Sequence, residues 1–191
     1  MDAYEFYWHD PIKGYQPVGV LPERRKNPAR ITQESVINLA RELLGDNVDV
    51  DKIFFIKVIR DENTGNILRS DPVYRPLTKY FKDRRKYPRV CMDLPLEYLV
   101  KDDPHARGGI VLDASETGFL IYSTEDIPIG AELKIAVLFP KEYELANLEV
   151  FAETIWKKVN VKKLEKRYQY GLKFIEISDV DYWKLRKLLI G

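Results

Sequence analysis

Apolar and polar residues alternate along much of the second half of the chain. Side chains of a β-strand point alternately to its two faces, so a period of two predicts strands that bury one face. Turn residues separate these segments, as at 102–105 and 127–130. Six short strands with little helix between them predict a small antiparallel barrel or sandwich. The predicted strands are 90–100, 108–113, 118–123, 131–139, 150–156 and 168–174.

Two hairpin connections and a helix complete this predicted unit. The segment 140–147 and the basic segment from Lys157 to Lys166 are predicted as connections, the second with its lysines in solvent. Ser178 is predicted to cap a last helix. We expect the apolar face of that helix to pack over its own domain, with a partner surface as the alternative. The predicted members of that face are Val180, Trp183 and Leu188.

The first seventy residues follow a different pattern. Residues 1–31 are rich in aromatic side chains and prolines without a clear period, so they fit a short strand, an arm over the protein or a partner contact. Residues 32–45, which begin with the capping residue Thr32, have helical spacing. Residues 52–60 predict a buried strand, and a hairpin turn at 61–66 leads to a short second strand. This αββ unit is too small to be stable alone, so we expect it to dock or dimerise.

Prolines at positions 72 and 76 place the boundary between these two patterns at residues 71–79. The predicted domains are therefore 1–78 and 79–191. The predicted fold class is mostly β with some α. A six-stranded antiparallel barrel with a C-terminal helix follows a small α+β unit.

Composition limits the kinds of partner. The chain has 191 residues, and 45% of them are hydrophobic, which supports a buried core. With 31 basic and 30 acidic residues the net charge is +1, so no overall field attracts nucleic acid and neither DNA nor RNA is expected as a partner. No apolar run approaches the roughly 20 residues of a membrane span, and the N-terminus lacks a secretion signal. A cytoplasmic protein is expected.

Cysteine and histidine content argues against several kinds of chemistry. Cys91 is the single cysteine, which excludes an internal disulfide and a cysteine-based zinc site. We expect it to pack at the start of a strand. His9 and His105 are far apart in the sequence and lack metal spacing. The sequence also lacks a recognisable nucleophile–base pair and a glycine-rich phosphate loop, so neither an enzyme nor a metal site is expected.

A dense charged stretch precedes the first predicted barrel strand. Five of the seven residues from Asp83 to Arg89 are charged, and Arg85 and Arg89 form an Arg-x-x-x-Arg pair beside Arg84. Pro88 fixes its own backbone and favours an extended conformation for the residue before it. The arginines are therefore predicted on an irregular arm. This arm is either a solvated linker or an anion-binding segment.

A second motif lies between the second and third predicted strands of the barrel. Asp113, Ser115 and Gly118 form an Asp-x-Ser-x-x-Gly pattern. Alone this pattern is weak, because Asp and Ser are common in turns and Gly supplies a left-handed conformation or a close backbone approach. It becomes informative together with the upstream arginine pair, the predicted barrel and the segment 170–174 that precedes the last helix.

These features together resemble the PilZ domain, a receptor for the bacterial second messenger cyclic di-GMP. The resemblance covers about residues 80–190, contains both motifs and does not extend to residues 1–75. In that family the arginine arm closes over a ligand on the outer surface of the barrel. The ligand-binding residues that the resemblance implies are Arg84, Arg85, Arg89, Asp113, Ser115 and Gly118.

The resemblance also carries expectations about stoichiometry and output. Arginine at position 84 implies that the ligand binds as an intercalated dimer, without any further cofactor. Closure of the arm is expected to change the interdomain arrangement or the binding of an unknown protein partner, reached through the N-terminal unit. Motility and biofilm regulation are the usual outputs of the family, and a homodimer is open. The alternative function is a PilZ-like adaptor that binds no nucleotide and acts through protein contacts.

Overall fold

The computed structural model describes residues 1–24, 32–44, 49, 52–69, 87–142, 144–162 and 165–190. These residues form two antiparallel sheets, with one helix accompanying each. The predicted boundary at 71–79 lies outside the described residues, and the division into 1–78 and 79–191 stays a prediction. The elements are β1 (Asp2–Asp10), β2 (Gly14–Pro22), α1 (Gln33–Leu44), β3 (Ile53–Arg60), β4 (Ile67–Leu68), β5 (Val90–Val100), β6 (Arg107–Ser115), β7 (Gly118–Ser123), β8 (Glu132–Lys141), β9 (Glu144–Lys162), β10 (Glu165–Ile177) and α2 (Asp179–Ile190).

The N-terminal sheet has the strand order β2-β1-β3-β4. Its first two strands form a hairpin, in which the Asp10 carboxylate accepts hydrogen bonds from the backbone N–H groups of Ile12 and Lys13. The short-strand alternative for residues 1–31 is therefore confirmed, and the predicted αββ unit omitted this hairpin. The sequence of β1 shows no alternation of apolar and polar residues, because both faces of this strand are covered and five consecutive residues, Ala3–Tyr7, are buried.

Helix α1 begins where its cap was predicted. The Thr32 hydroxyl accepts a hydrogen bond from the Ser35 backbone N–H, and the Ser35 hydroxyl donates to the Thr32 carbonyl. The first of these contacts satisfies a backbone N–H that has no partner within the first helical turn, while the Thr32 carbonyl also accepts from the N–H of Val36. Val36 points inward and packs with Tyr4 and Phe6, on the face of the sheet that lies away from the barrel.

The second sheet closes into a barrel with the strand order β10-β7-β6-β5-β8-β9, and β10 also pairs with β9. The predicted six-stranded antiparallel barrel is thus confirmed. Alternate residues fill its interior, as the period of two predicts. The fully buried members of this core include Leu96, Val111, Phe119, Ile135 and Tyr170.

The strands β8, β9 and β10 are longer than predicted. The predicted connection 140–147 is mostly strand, since β8 ends at Lys141 and β9 begins at Glu144. The predicted basic connection from Lys157 is also mostly strand, because β9 continues to Lys162 and β10 begins at Glu165. Both predictions of a connection were wrong, because exposed residues such as Lys141, Glu144 and Lys158 pair in these strands but carry little apolar signal.

The N-terminal sheet packs on the outer wall of the barrel. Tyr7 and Phe54 of the sheet share one buried apolar cluster with Leu112 and Leu120 of the barrel. This burial removes apolar surface that neither unit covers by itself. The small N-terminal unit therefore docks, as its size predicted.

Two further contacts fix the position of this interface. The Tyr15 hydroxyl donates a 2.5 Å hydrogen bond to the buried carboxylate of Glu97 on β5. At Gly108 the backbones of β6 and β3 meet so closely that a Cβ atom would lie 1.9 Å from the carbonyl oxygen of Phe55. The contact at position 108 requires glycine because any side chain would occupy the space of that carbonyl.

Helix α2 starts after Ser178, whose hydroxyl accepts a hydrogen bond from the backbone N–H of Asp181. Leu185 is buried in the barrel core, and Leu188 packs against that core. Val180 and Trp183 are instead exposed. The prediction that these two residues share a packed face with Leu188 was wrong, because the helix carries two apolar stripes rather than one.

Candidate functional site

Arg89 and Asp113 lie in contact on the barrel. One terminal nitrogen (Nη1) of the Arg89 guanidinium donates a 2.7 Å hydrogen bond to Oδ1 of Asp113. Asp113 is buried, and Arg89 retains about a fifth of its side-chain exposure. A charge-assisted hydrogen bond of this length offsets the cost of burying the carboxylate. The structure therefore brings together the last residue of the arginine motif and the first residue of the turn motif.

Ser115 and Gly118 end the two strands on either side of a two-residue turn. They pair directly across the β6–β7 hairpin, and the buried Ser115 hydroxyl donates to the Gly118 carbonyl at 3.3 Å. The same hydroxyl accepts from the Thr117 backbone N–H, and the Thr117 carbonyl accepts from the N–H of Phe174 on β10. The turn is thus held from inside the hairpin and from the neighbouring strand.

Gly118 serves close approach rather than a left-handed conformation. It is not among the glycines with positive φ. A Cβ atom at this position would lie 2.1 Å from the carbonyl oxygen of Leu172. Of the two roles that the sequence left open for Gly118, the structure supports the close backbone approach.

An irregularity in β5 lies next to the Arg89–Asp113 contact. The register of β5 against β6 shifts between Cys91 and Leu94, and Asp93 adopts a φ of 115°. A β-bulge bends its strand and re-aims the side chains beside it. A non-glycine residue with this φ is strained, and such strain is found mostly where a site depends on it.

The strand pairing places a row of residues on the outer face of the barrel. Across four strand pairs the residues opposite one another are Cys91, Asp113, Leu120, Gly171 and Trp156. Directly opposed residues lie on the same face of a sheet. Leu120 belongs to the cluster under the N-terminal sheet, so this row borders the contact between the two sheets. Cys91 is exposed in this row, and the expectation that it packs was wrong.

Trp156 and Gly171 complete this face, and the sequence did not single them out as a site. A Cβ atom at Gly171 would lie 2.0 Å from the indole nitrogen of Trp156, so the indole lies directly over the glycine. Trp156 remains 42% exposed. A half-exposed indole on a flat backbone surface is suited to stack on an aromatic ligand. The sequence signal for this pair is a tryptophan on one predicted strand and a glycine on the next.

The other predicted site residues lie elsewhere. Arg84 and Arg85 are outside the described residues, so their role in a site stays a prediction. Among the described residues, none of the groups of His, Cys, Asp and Glu could hold a metal ion. The helices within the described ranges are too short and too polar to cross a membrane.

The family of the chain follows from its sequence. A model of the PilZ domain matches residues 83–191, which is more than half of the chain. The chain therefore belongs to the PilZ domain family. A search of the curated proteins found no match.

Several solved structures are similar. The inhibitor of motility MotI/DgrA from Bacillus subtilis has 18% sequence identity and a TM-score of 0.46, with 72% of this chain and 64% of that chain covered. The PilZ domain of YcgR from Escherichia coli with c-di-GMP has 14% identity and a TM-score of 0.43, covering 56% and 90%. The K. pneumonia MrkH–c-di-GMP complex has 13% identity and a TM-score of 0.40, covering 99% and 85%.

Proposed function

We propose that this protein is a receptor for cyclic di-GMP. The observation that carries the proposal is the contact between Arg89 and Asp113, which joins the two motifs at one place on the outer face of the barrel. Membership of the PilZ domain family supports the same ligand. The proposed ligand-binding residues are Arg84, Arg85, Arg89, Asp113, Ser115 and Gly118.

The chemistry of guanine fits these side chains. Its O6 and N7 atoms accept two parallel hydrogen bonds from a guanidinium group, and arginine also pairs with phosphate. The N1 and N2 groups of guanine donate, so the Asp113 carboxylate is a suitable acceptor. Adenine presents an amino donor where guanine has O6, and it lacks the N1–H. The proposed site should therefore prefer cyclic di-GMP to cyclic di-AMP.

The outer-face row gives the ligand a surface on which to lie. Adjacent strands are about 4.8 Å apart, so the backbones of Asp113 and Trp156, three strands apart, are separated by roughly 14 Å. We propose that one guanine stacks on the Trp156 indole while another is bound near Asp113. Two intercalated ligand molecules, which the arginine at position 84 suggests, would fill such a face.

Calorimetric titration of the full chain with cyclic di-GMP and cyclic di-AMP tests the proposal. We expect micromolar or tighter binding of the first and at least tenfold weaker binding of the second. The double variant Arg85→Ala with Arg89→Ala should lose binding. The matched control is Arg41→Ala, since Arg41 is exposed on α1. Absent binding by the intact chain would overturn the receptor in favour of the nucleotide-free adaptor. Binding retained by the double variant would overturn the assignment of Arg85 and Arg89 to the site.

Ligand binding is proposed to act on the contact between the two sheets. Leu120 lies beside Asp113 in the outer-face row and also belongs to the apolar cluster beneath the N-terminal sheet. A ligand that binds one arrangement of the sheets more tightly shifts the population toward it. We propose that an unknown protein partner reads this shift. Small-angle scattering of the full chain with and without ligand should differ, and identical curves would remove the switch while leaving ligand binding intact.

A further inference from the structure

Helix α2 presents a second apolar stripe to solvent. Its inner face is built from Leu185, which is fully buried, and from two further leucines that pack on the barrel. On the outer face Val180 is 66% exposed, Trp183 61% and Ile190 77%. Isolated exposed apolar residues are ordinary, but a stripe along one helix marks a contact surface.

The spacing of this stripe is that of a helix–helix seam. Val180, Trp183, Lys187 and Ile190 follow one another at intervals of three, four and three residues. Residues at these intervals lie on one face of a helix. The same intervals define the a and d positions through which two helices pack in a coiled coil.

Charge selects the partner and its direction. The first turn of α2 is acidic, with Asp179 and Asp181, and its last turn carries the basic Lys187. In an antiparallel pair of two α2 helices, the acidic end of each lies beside the basic end of the other. In a parallel pair, the two lysines at position 187 would meet at the seam. The surface is therefore complementary to a second copy of itself in the antiparallel direction.

We propose that α2 joins two copies of this chain in an antiparallel homodimer. Pairing centred on residue 185 sets Val180 against Ile190 of the partner subunit and Trp183 against the partner's Lys187. An ammonium group over an indole face is attractive. The Arg186 guanidinium already lies 5.7 Å from the centre of the Trp183 ring in the same chain. The surface thus combines apolar contact with favourable charge.

The dimer is weak and reversible, because one short helix covers less than the roughly 800 Å² per partner of a standard interface. We expect a dissociation constant on the order of 10–100 µM. Sedimentation velocity over a concentration series that spans this range measures it on the full chain. Trp183→Glu should remain monomeric throughout, because it places a buried charge at the seam. Ile12→Glu is the matched control, since Ile12 is 92% exposed at the β1–β2 hairpin.

A chain that stays monomeric at every concentration overturns the proposal, as does a dimer that survives Trp183→Glu. Cysteine cross-linking tests the direction in a Cys91→Ser background. Chains with Val180→Cys are mixed with chains with Ile190→Cys and oxidised. Antiparallel pairing predicts cross-links between the two variants, and products formed within each variant alone, or no product, contradict it. Neither experiment contains nucleotide, so failure here leaves the proposed receptor untouched.

Discussion

Asp113 is the residue on which the proposed site depends most, because it combines burial, a charge and a position beside the β5 bulge. Its carboxylate already has Arg89 as a partner. An arriving guanine must therefore share this contact or displace it. The contact with Arg89 holds the Asp113 carboxylate in place as a hydrogen-bond acceptor before any ligand is bound.

Asp113→Asn keeps the size of the side chain and removes its charge. We expect about 10- to 100-fold weaker binding of cyclic di-GMP, because the amide loses an acceptor for guanine and its ion pair with Arg89. Calorimetry provides the measurement. Asp103→Asn is the matched control, since Asp103 forms a comparable ion pair with Arg107 at the other end of β6. Equal affinities for Asp113→Asn and the wild type would contradict the assignment.

Gly118→Ala should destabilise the barrel by about 1–3 kcal/mol, because the new methyl group overlaps the Leu172 carbonyl oxygen and forces β7 away from β10. Urea unfolding followed by far-ultraviolet circular dichroism measures the free energy of unfolding. Thr117→Ala, in the exposed part of the same turn, should change it by less than about 0.5 kcal/mol. Equal stability of the two variants would show that the close approach is dispensable.

At the scale of elements, the contact between β3 and β6 joins the two sheets. Gly108 is the position where this contact leaves no room for a side chain. The apolar cluster beside it is shared by residues of both sheets. This contact can therefore be disturbed without touching the proposed ligand residues.

Gly108→Ala is expected to loosen the N-terminal sheet from the barrel, since its methyl group would collide with the Phe55 carbonyl. Amide hydrogen exchange should speed up in β3 and remain slow in β9 and β10. Affinity for cyclic di-GMP should stay within about threefold of the wild type, while any ligand-induced change in scattering is lost. Unchanged exchange in β3 would mean that the sheets are held mainly by other contacts.

The hydrophobic pattern predicted the strands and helices that bury one face. It failed for strands that bury both faces and for strand ends that bury neither. A strand was only one of three alternatives for residues 1–31, because Tyr4 packs toward α1 while Tyr7 packs toward the barrel, so β1 shows no alternation of apolar and polar residues. The paired part of β9 at Lys158 and Val159 was missed for the opposite reason, because both side chains are exposed. The place of Trp156 beside Gly171 depends on pairing across a register shift that no local pattern records.

Motif and geometry contributed differently to the candidate site. Arg89 and Asp113 were grouped from the sequence by resemblance alone, and the fold then placed them 2.7 Å apart. Their proximity arises from the pairing of β5 with β6 and from the bulge after Cys91. Neither feature follows from residue spacing, because the two residues are 24 positions apart.

At the scale of the whole molecule, the Tyr15–Glu97 contact makes the docking of the sheets sensitive to pH. Burial raises the pKa of the Glu97 carboxyl above its ordinary value, and the hydrogen bond from Tyr15 acts in the opposite direction. The folded protein therefore binds this proton more tightly than the unfolded chain does. The resulting stabilisation is complete below the ordinary glutamate pKa and is lost as the pH rises through the raised value.

Thermal unfolding of the wild type and of Glu97→Gln between pH 4.5 and pH 8 tests this dependence. The wild type should gain stability relative to the variant as the pH falls, since glutamine has no proton to take up. Comparing the two proteins removes the contributions of all other titrating groups that they share. A difference in melting temperature that does not vary with pH would contradict the prediction.

Closure of the barrel also determines where this chain is open to misassembly. Each barrel strand has a neighbour on both sides in the closed part of the barrel, but residues 155–162 of β9 pair only with β10, so the end of the β9–β10 hairpin keeps an open edge. The N-terminal sheet keeps such edges at β2 and β4. In β2, Pro17 and Pro22 lack the N–H group that a foreign strand would need. Aggregation through added strands would therefore begin at the β9–β10 extension or on the N-terminal sheet, where β2 offers a reduced set of donors.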